Sequence, residues 1–362
     1  MIPMVDLKKQ YHLLKSEIDS ALLDVLENTQ FILGPNVQAF EAEAASYLGA
    51  KHALSCASGT DALHLALAAA GIGPGDEVIT PTFTFIATAE AIRYVGAQPV
   101  FVDIDPQTFN IDPNLIAKAI NERTCALLPV HLFGQPANMP EIMSLAKQHN
   151  LLVIEDCAQS FGADINGVMT GNFGLAGCHS FFPSKNLGCY GDGGMITTND
   201  DEIATKIRVL RNHGSAVRYH HDVIGYNSRL DELQAAILRV KLKNIRQYNQ
   251  ERYRVAQSYS EKLKGHVIPP FEDKIGQHVY HQYTLLTPKR DAVMKKLTEN
   301  GVASAIYYPI PLHKQNVFVN DYADISLPVS ERVAAECMSL PIFPELEESQ
   351  IKQITETIIS AL

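Results

Sequence analysis

The chain has 362 residues, 46% of them hydrophobic and 19% charged, with a formal net charge of −10. Such a length supplies a large core and fits one big domain with a smaller one. The acidic balance argues against non-specific nucleic-acid binding, although a small anionic ligand needs only a local positive site. No run of 18 apolar residues occurs and the start, "MIPMVDLKKQYHLL", has no long apolar h-region, so a soluble cytoplasmic protein with no membrane partner is expected. The six cysteines, Cys56, Cys125, Cys157, Cys178, Cys189 and Cys337, form no CxxC pair and are expected to be free thiols, several of them buried.

From residue 53 onward, short β-rich runs recur: "ALSCAS", "EVITPTF" from 77, "PVFVDI" from 99, "ALLPVHLFG" from 126, "LLVIEDC" from 151, "CHSFFP" from 178 and "GMITTN" from 194. Helical patterns lie between the early ones: "TDALHLALAAAG" from Thr60, "TFIATAEAIRYVG" after Thr84 and "MPEIMSLAKQHN" after Asn138. Alternation of strand and helix predicts a mostly parallel sheet with helices on both faces, and the continuous apolar strands fit burial on both sides. Near residue 230 the pattern changes to a long helical stretch, "LDELQAAILRVKLKNIRQYNQERYRVAQSYSEKL". A strand, "HQYTLLT", and a helix, "RDAVMKKLTENG" ended by Gly301, follow it. The expected division is a large domain over 1–240, including the N-terminal segment, and a small α+β domain over 241–362.

In open α/β sheets ligands bind outside the carboxyl ends of the strands, and polar residues stand out there. Ser58-Gly59-Thr60-Asp61 follows the first strand and opens a helix, which reads either as a phosphate site or as a plain N-cap. Asp156 ends "LLVIED", with Gln159 three residues on. A carboxylate in so apolar a run needs a partner, for which a protonated heterocyclic nitrogen would serve, or it caps a helix. In "HSFFPSKNLGCYGDGG", from 179 to 194, Ser180 and Lys185 stand between an apolar strand and a glycine-rich loop. A partly desolvated lysine has a lowered pKa and can form a Schiff base; the alternatives are direct phosphate pairing or a lysine reaching for water. Phe85, after "TPTFT", can stack on a planar ring or belong to the core. The thirteen histidines contain no HExxH, and His220-His221 and "HVYH" at 278–281 lack a carboxylate or cysteine at ligand spacing, which argues against a metal site. Together, a phosphate cup, an aromatic face, a carboxylate for a ring nitrogen and a Schiff-base lysine match the needs of pyridoxal phosphate.

Over nearly its full length the chain resembles the DegT/StrS-type nucleotide-sugar aminotransferases. The matching stretches are "VDLKKQY", "FILGPNVQAFE", "SGTDALHLAL", "GPGDEVITPTFTFIATAEAI", "IEDCAQSFGA", "FFPSKNLGCYGDGGMITTND", "RNHG", "YNSRLDELQAAIL" and "YYPIPLHKQ". The resemblance implies the fold-type-I pyridoxal phosphate architecture, α/β with a mostly parallel central sheet flanked by helices, and a homodimer with shared active sites. It implies that Lys185 carries the cofactor, that Asp156 pairs with the pyridine nitrogen, and that Gln159 lies near the ring hydroxyl. Gly59, Thr60 and Ser180 match the phosphate cup and Phe85 the stacking aromatic, while Asn227 matches a residue reaching the phosphate from the neighbouring subunit. Arg229 is placed to reach the sugar nucleotide, also across the interface, and Phe31, Ser184, Tyr307, Tyr308 and His313 fall on the substrate side.

Some relatives carry histidine at the lysine position and act as sugar dehydratases, so Lys185 favours transamination. The likeness in "FFPSKNLGCYGDGG" and "RYHHDVIGYNSRLDELQAAIL" points to amination at C3 of a UDP-linked 3-oxo-N-acetylhexosamine or its uronate, with L-glutamate as donor. The product would serve cell-surface polysaccharide, lipopolysaccharide or lipid A synthesis. Tyr307 stands where some uronate-using relatives have histidine, which leans the expectation to a neutral sugar. The alternatives are amination at C4 of a UDP- or dTDP-4-keto-6-deoxy sugar, a dehydratase, or a regulatory protein on the same fold.

Overall fold

A computed structural model describes residues 1–362. Helices α1 (Leu7–Asn28) and α2 (Pro35–Leu48) precede β1 (His52–Cys56). Helix and strand then alternate through α3 (Gly59–Ala69), β2 (Glu77–Pro81), α4 (Ala87–Tyr94), β3 (Gln98–Val102), α5 (Pro113–Ala119), β4 (Thr124–Leu127), α6 (Met139–His149) and β5 (Leu152–Asp156). A short hairpin, β6 (Asp164–Ile165) with β7 (Val168–Met169), leads to β8 (Ala176–Ser180), β9 (Gly194–Thr198) and α7 (Asp201–Leu210). The main sheet has seven strands in the order β1-β9-β8-β5-β4-β2-β3. Only β9 runs against its neighbours. The mostly parallel sheet expected from the alternation is therefore the one that forms, and α3, α4 and α6 fall where the helical patterns lie.

Strand periodicity divides the core into two layers. Leu54, Val78, Ala126, Ile154 and Ile196 point to one face, where they pack with α3, α4 and α7. Their neighbours in sequence point to the other: Ile79, Leu127 and Val153 pack against α5 and α6, and Ala53 and Met195 against α1, α2 and α8 (Glu232–Leu242). Successive side chains of a strand face opposite ways, so a sheet covered on both faces needs apolar residues at nearly every position.

The helical stretch after residue 230 is two helices rather than one. Helix α8 ends at Leu242, and α9 (Ile245–Lys262) starts after a break at Lys243 and Asn244. Ile245 and Tyr248 pack with α1 and α2. Val255, Ala256 and Tyr259, farther along α9, enter a separate apolar cluster with β10 (Tyr283–Leu286), α10 (Arg290–Glu299), β11 (Cys337–Leu340) and α12 (Glu348–Ala361). Ile2 belongs to that cluster and pairs with Val302. Helix α11 (Pro328–Glu336) precedes β11, which pairs antiparallel with β10. All six cysteines are free, and all but Cys125 are buried. No helix is long and apolar enough to cross a membrane.

Beneath the carboxyl ends of the strands lies a buried polar brace. Glu155 has no solvent exposure. It accepts the backbone N–H groups of Gly171, Phe173 and Gly174, each at 2.8 Å. His131, equally buried, lies with Nε2 3.1 Å from Glu155 and accepts the Ala137 N–H at Nδ1 over 3.0 Å. The second contact makes Nε2 the protonated nitrogen, which donates to Glu155. Cys157 lies close to both, with ligand atoms of the three residues within 4.8 Å of one another. Since both ring nitrogens are engaged and Glu155 already takes four donors, the Glu155–His131 pair ties the 171–174 turn and the segment after β4 to β5. Removing a buried acceptor exposes each donor's full desolvation cost, so Glu155→Ala is expected to lower the unfolding free energy by about 3–5 kcal/mol. Urea denaturation monitored by far-UV circular dichroism measures it; a loss within experimental scatter would contradict the brace.

Candidate active site

A cavity of about 530 Å³ opens at the carboxyl ends of the parallel strands. Its lining brings together Gly59, Thr60, Phe85, Asp156, Gln159, Ser180, Ser184, Lys185, Tyr307 and Tyr308, ten residues spread over some 250 positions of sequence. Several arrive at the end of a main-sheet strand: Gly59 and Thr60 after β1, Phe85 after β2, Asp156 as the last residue of β5, Ser180 as the last of β8. The loop from β8 to β9 then carries Ser184 and Lys185.

At one wall, the Ser58 hydroxyl caps α3 by accepting the Asp61 N–H at 3.1 Å. The cap leaves room for an anion, because the opening N–H groups of a helix have no partner within it and Gly59 and Thr60 keep theirs. A Cβ added at Gly59 would sit 2.5 Å from the Ser180 Cβ and 3.0 Å from its Oγ. Only glycine lets the two strand ends close into one cup.

Asp156 is 5% exposed, and its carboxylate is fixed at both oxygens. The Ala158 N–H donates to Oδ1 at 3.1 Å and the Thr88 hydroxyl to Oδ2 at 2.9 Å. Burial raises its pKa, while these two donors and the charge of Lys185 oppose the rise. Lys185 keeps part of its surface open to the cavity, yet its amine lies deep enough that desolvation brings its pKa down to about 8, against the opposing charge of Asp156. The next residue, Asn186, is pinned: its amide donates to the Asn249 side chain at 2.8 Å and to the Val279 carbonyl at 2.9 Å. Gln159 is held by accepting the Phe133 N–H at 2.7 Å and donating to the Tyr308 hydroxyl at 3.0 Å. The Phe85 ring, 54% exposed, faces the cavity 6.2 Å from the Tyr308 ring.

Four expected residues lie elsewhere. Phe31, Asn227 and Arg229 are outside the cavity wall. They sit on a common stretch of surface, where the Glu232 N–H donates to the Phe31 carbonyl and Arg229 reaches Asn212 at 3.3 Å. His313 is a correction. It is fully buried, with Nδ1 2.8 Å from the Thr82 hydroxyl and Nε2 3.1 Å from Glu331. Both nitrogens are occupied, so it braces the segment after β2 rather than facing a substrate. Conversely, Thr88, Phe133, His281 and Gln282 touch the site or its residues without having been singled out for it. No local signal marks them: His281, for instance, is 96 residues from the lysine it approaches.

The profile of the DegT/DnrJ/EryC1/StrS aminotransferase family matches residues 12–359. The chain belongs to that family. It is 54% identical to the UDP-N-acetyl-3-dehydro-alpha-D-glucosamine 3-aminotransferase of Acidithiobacillus ferrooxidans, over 99% of this chain and 97% of the relative. It is 48% identical to the UDP-2-acetamido-2-deoxy-3-oxo-D-glucuronate aminotransferase of Pseudomonas aeruginosa, over 98% of each chain. A protein of Geobacillus stearothermophilus named as a pleiotropic regulatory protein is 52% identical, over 99% and 97%. The solved structure of S. venezuelae DesV in complex with a ketimine intermediate superposes with a TM-score of 0.97 at 41% identity, covering 99% of this chain and 98% of that one. The chain is an aminotransferase, and its cofactor is pyridoxal phosphate. The cavity fits that group: an anion cup that tolerates no side chain at Gly59, a buried carboxyl and a desolvated amine share one wall-lined space.

Because burial lowers the Lys185 pKa and Asp156 raises it, the cofactor-free protein should acylate at Lys185 with a midpoint near pH about 8, read by competitive labelling and peptide mass spectrometry. Asp156→Ala should move that midpoint downward. An upward move, or none, would contradict the coupling.

Proposed function

We propose that this aminotransferase moves an amino group from L-glutamate to C3 of a UDP-linked 3-oxo-2-acetamido sugar. The product is a UDP-amino sugar for cell-surface polysaccharide, lipopolysaccharide or lipid A synthesis in the cytoplasm. The observation that carries the chemistry is the pairing, in one cavity, of the desolvated Lys185 with the buried Asp156. When bound, pyridoxal phosphate supplies the electron sink for breaking and making bonds at the carbon that bears nitrogen. Asp156, oriented by Thr88 and Ala158, holds a proton at the ring nitrogen. Gly59, Thr60 and Ser180 hold the phosphate, and Phe85 covers a face of the ring. Lys185 binds the cofactor covalently and, once released, carries a proton between the substrate carbon and the cofactor. An amine with a pKa of about 8 is present in both protonation states near neutrality, which nucleophile and proton carrier both require.

The substrate follows from the relatives and the wall. Both enzymes named above act on UDP-linked 3-oxo sugars, one neutral and one a uronate. Tyr307 offers a hydroxyl and no charge, and its pKa is raised by burial, which favours the neutral sugar. Phe31, Asn227 and Arg229 lie outside their own chain's cavity, and Phe31 and its neighbour Ile32 are exposed apolar residues; this supports a homodimer in which the three serve the partner's site. A division into a large domain over 1–240 and a small one over 241–362 is supported by the two apolar clusters that α9 joins, although Ile2 packs in the C-terminal cluster and Ile245 and Tyr248 in the one with α1 and α2.

Borohydride reduction of the holoenzyme followed by peptide mass spectrometry should place the cofactor on Lys185, and Lys185→Ala should lose at least about a hundredfold in turnover; cofactor found on another lysine would overturn the assignment. Mixing Lys185→Ala subunits with Arg229→Ala subunits should restore part of the activity, and no recovery despite proven subunit exchange would place each site within one chain. In the reverse reaction with 2-oxoglutarate, a UDP-sugar aminated at C3 and neutral at C6 should turn over fastest. Preference for a 4-amino sugar would refute C3, and preference for the uronate would refute the neutral substrate.

A further inference from the structure

His281 stands beside the active lysine with no part in the scheme above. It is 5% exposed and lines the cavity. Its Nε2 lies 3.5 Å from the Lys185 Nζ and 3.5 Å from the Gln282 amide nitrogen. With Nε2 accepting an N–H from either neighbour, the ring proton sits on Nδ1, which has no protein partner. The backbone holding it is rigid. Arg252, 2% exposed, donates to the carbonyls of Tyr280 at 3.2 Å and His281 at 3.4 Å. The Val279 N–H is bonded to Gly134 at 2.9 Å, and a Cβ at Gly134 would lie 2.9 Å from the His281 nitrogen.

The charged groups facing the pair are Asp156 on the Lys185 side and Arg252 behind the histidine, with Glu345 acting on Arg252. Burial and the two neighbouring cations push the His281 pKa well below its ordinary value. The ring therefore stays neutral and keeps its lone pair.

We propose that His281 is a positioning residue that receives the Lys185 amine, through an N–H to Nε2 hydrogen bond, whenever that amine is free of the cofactor. A transaminase lysine is released and must be regained in each half-reaction, and its four-carbon stem has many rotamers. A fixed acceptor at the cavity wall holds the amine at one place between its two duties. A neutral acceptor also favours the ammonium over the amine, which opposes the effect of burial on Lys185. The inference rests on Lys185 being the cofactor-bearing lysine.

The test uses the enzyme loaded with pyridoxamine phosphate, in which the Lys185 amine is free. His281→Leu removes the acceptor; His281→Gln returns an amide oxygen to about the position of Nε2. Borohydride mapping of each pyridoxal phosphate-loaded variant first checks the assignment of Lys185, independently of His281. In the Leu variant, the pH midpoint for acylation of Lys185 should fall. Starting instead from the pyridoxal phosphate-loaded Leu variant, the single-turnover rate of cofactor amination by L-glutamate should drop about ten- to a hundredfold, the loss expected for one hydrogen bond to a charged group. The Gln variant should recover the midpoint and most of the rate. If the Leu variant keeps the wild-type midpoint, or if Gln fails to recover it in a folded protein, His281 only packs and the proposal falls.

Discussion

Desolvation of the Lys185 amine beside the buried Asp156 carboxyl is the constraint on which the rest of the site depends. Each group is costly in its charged form where it stands, and each lowers that cost for the other. Burial takes the lysine down to about 8 and pulls the aspartate up, while their mutual attraction works the opposite way on both. The sheet makes this possible: β5 ends on Asp156, and β8, its parallel neighbour, ends on Ser180 five residues before Lys185. Chemistry can therefore be held between two strands whose own polar backbone is already paired.

Around that pair, restraint comes from hydrogen bonds to neutral backbone and side-chain groups rather than from ion pairs. Thr88 and the Ala158 N–H fix the Asp156 carboxylate, Asn186 ties the lysine loop to the Asn249 and Val279 segment, and Gln159 is held between Phe133 and Tyr308. One layer further in, Glu155 and His131 lock β5 to the loops on either side. The adjacent residues Glu155 and Asp156 thus face opposite ways from one strand: one carboxyl satisfied inside the fold, the next left facing the cavity for a ligand. The lysine loop gets similar support from Lys241, a buried lysine that donates to the Gly188 carbonyl at 2.7 Å and lies over the Tyr190 ring.

Much of this was legible from residues in line. Strand runs such as "LLVIED" announce two-sided burial, glycine after a strand announces close approach, and a lone lysine between apolar and glycine-rich segments announces an unusual environment. Arg252, His281 and Thr88 gave no such notice. They reach the site from α9, from the segment before β10 and from α4, and a helical or pre-strand position tells nothing of what it will face. His313 shows the converse: its neighbours "YYPIPLHKQ" look like a substrate segment, and Tyr307 and Tyr308 do line the cavity, yet a few residues on, the chain turns inward and Thr82 and Glu331 take the ring.

The sequence by itself determined the order of strands and helices, the layered α/β class, and the residue types that a phosphate, a pyridine nitrogen and a carbonyl carbon require. These follow from local periodicity and from chemistry that one residue type can meet alone. Tertiary structure decided which polar residues are exposed to the cavity and which are consumed as internal bracing, where the long helical stretch breaks, and that Phe31, Asn227 and Arg229 are not part of their own chain's cavity wall. The physical reason is that a buried polar group's role depends on whether its hydrogen bonds are satisfied by the fold or left for a ligand, and that balance exists only once distant segments have met.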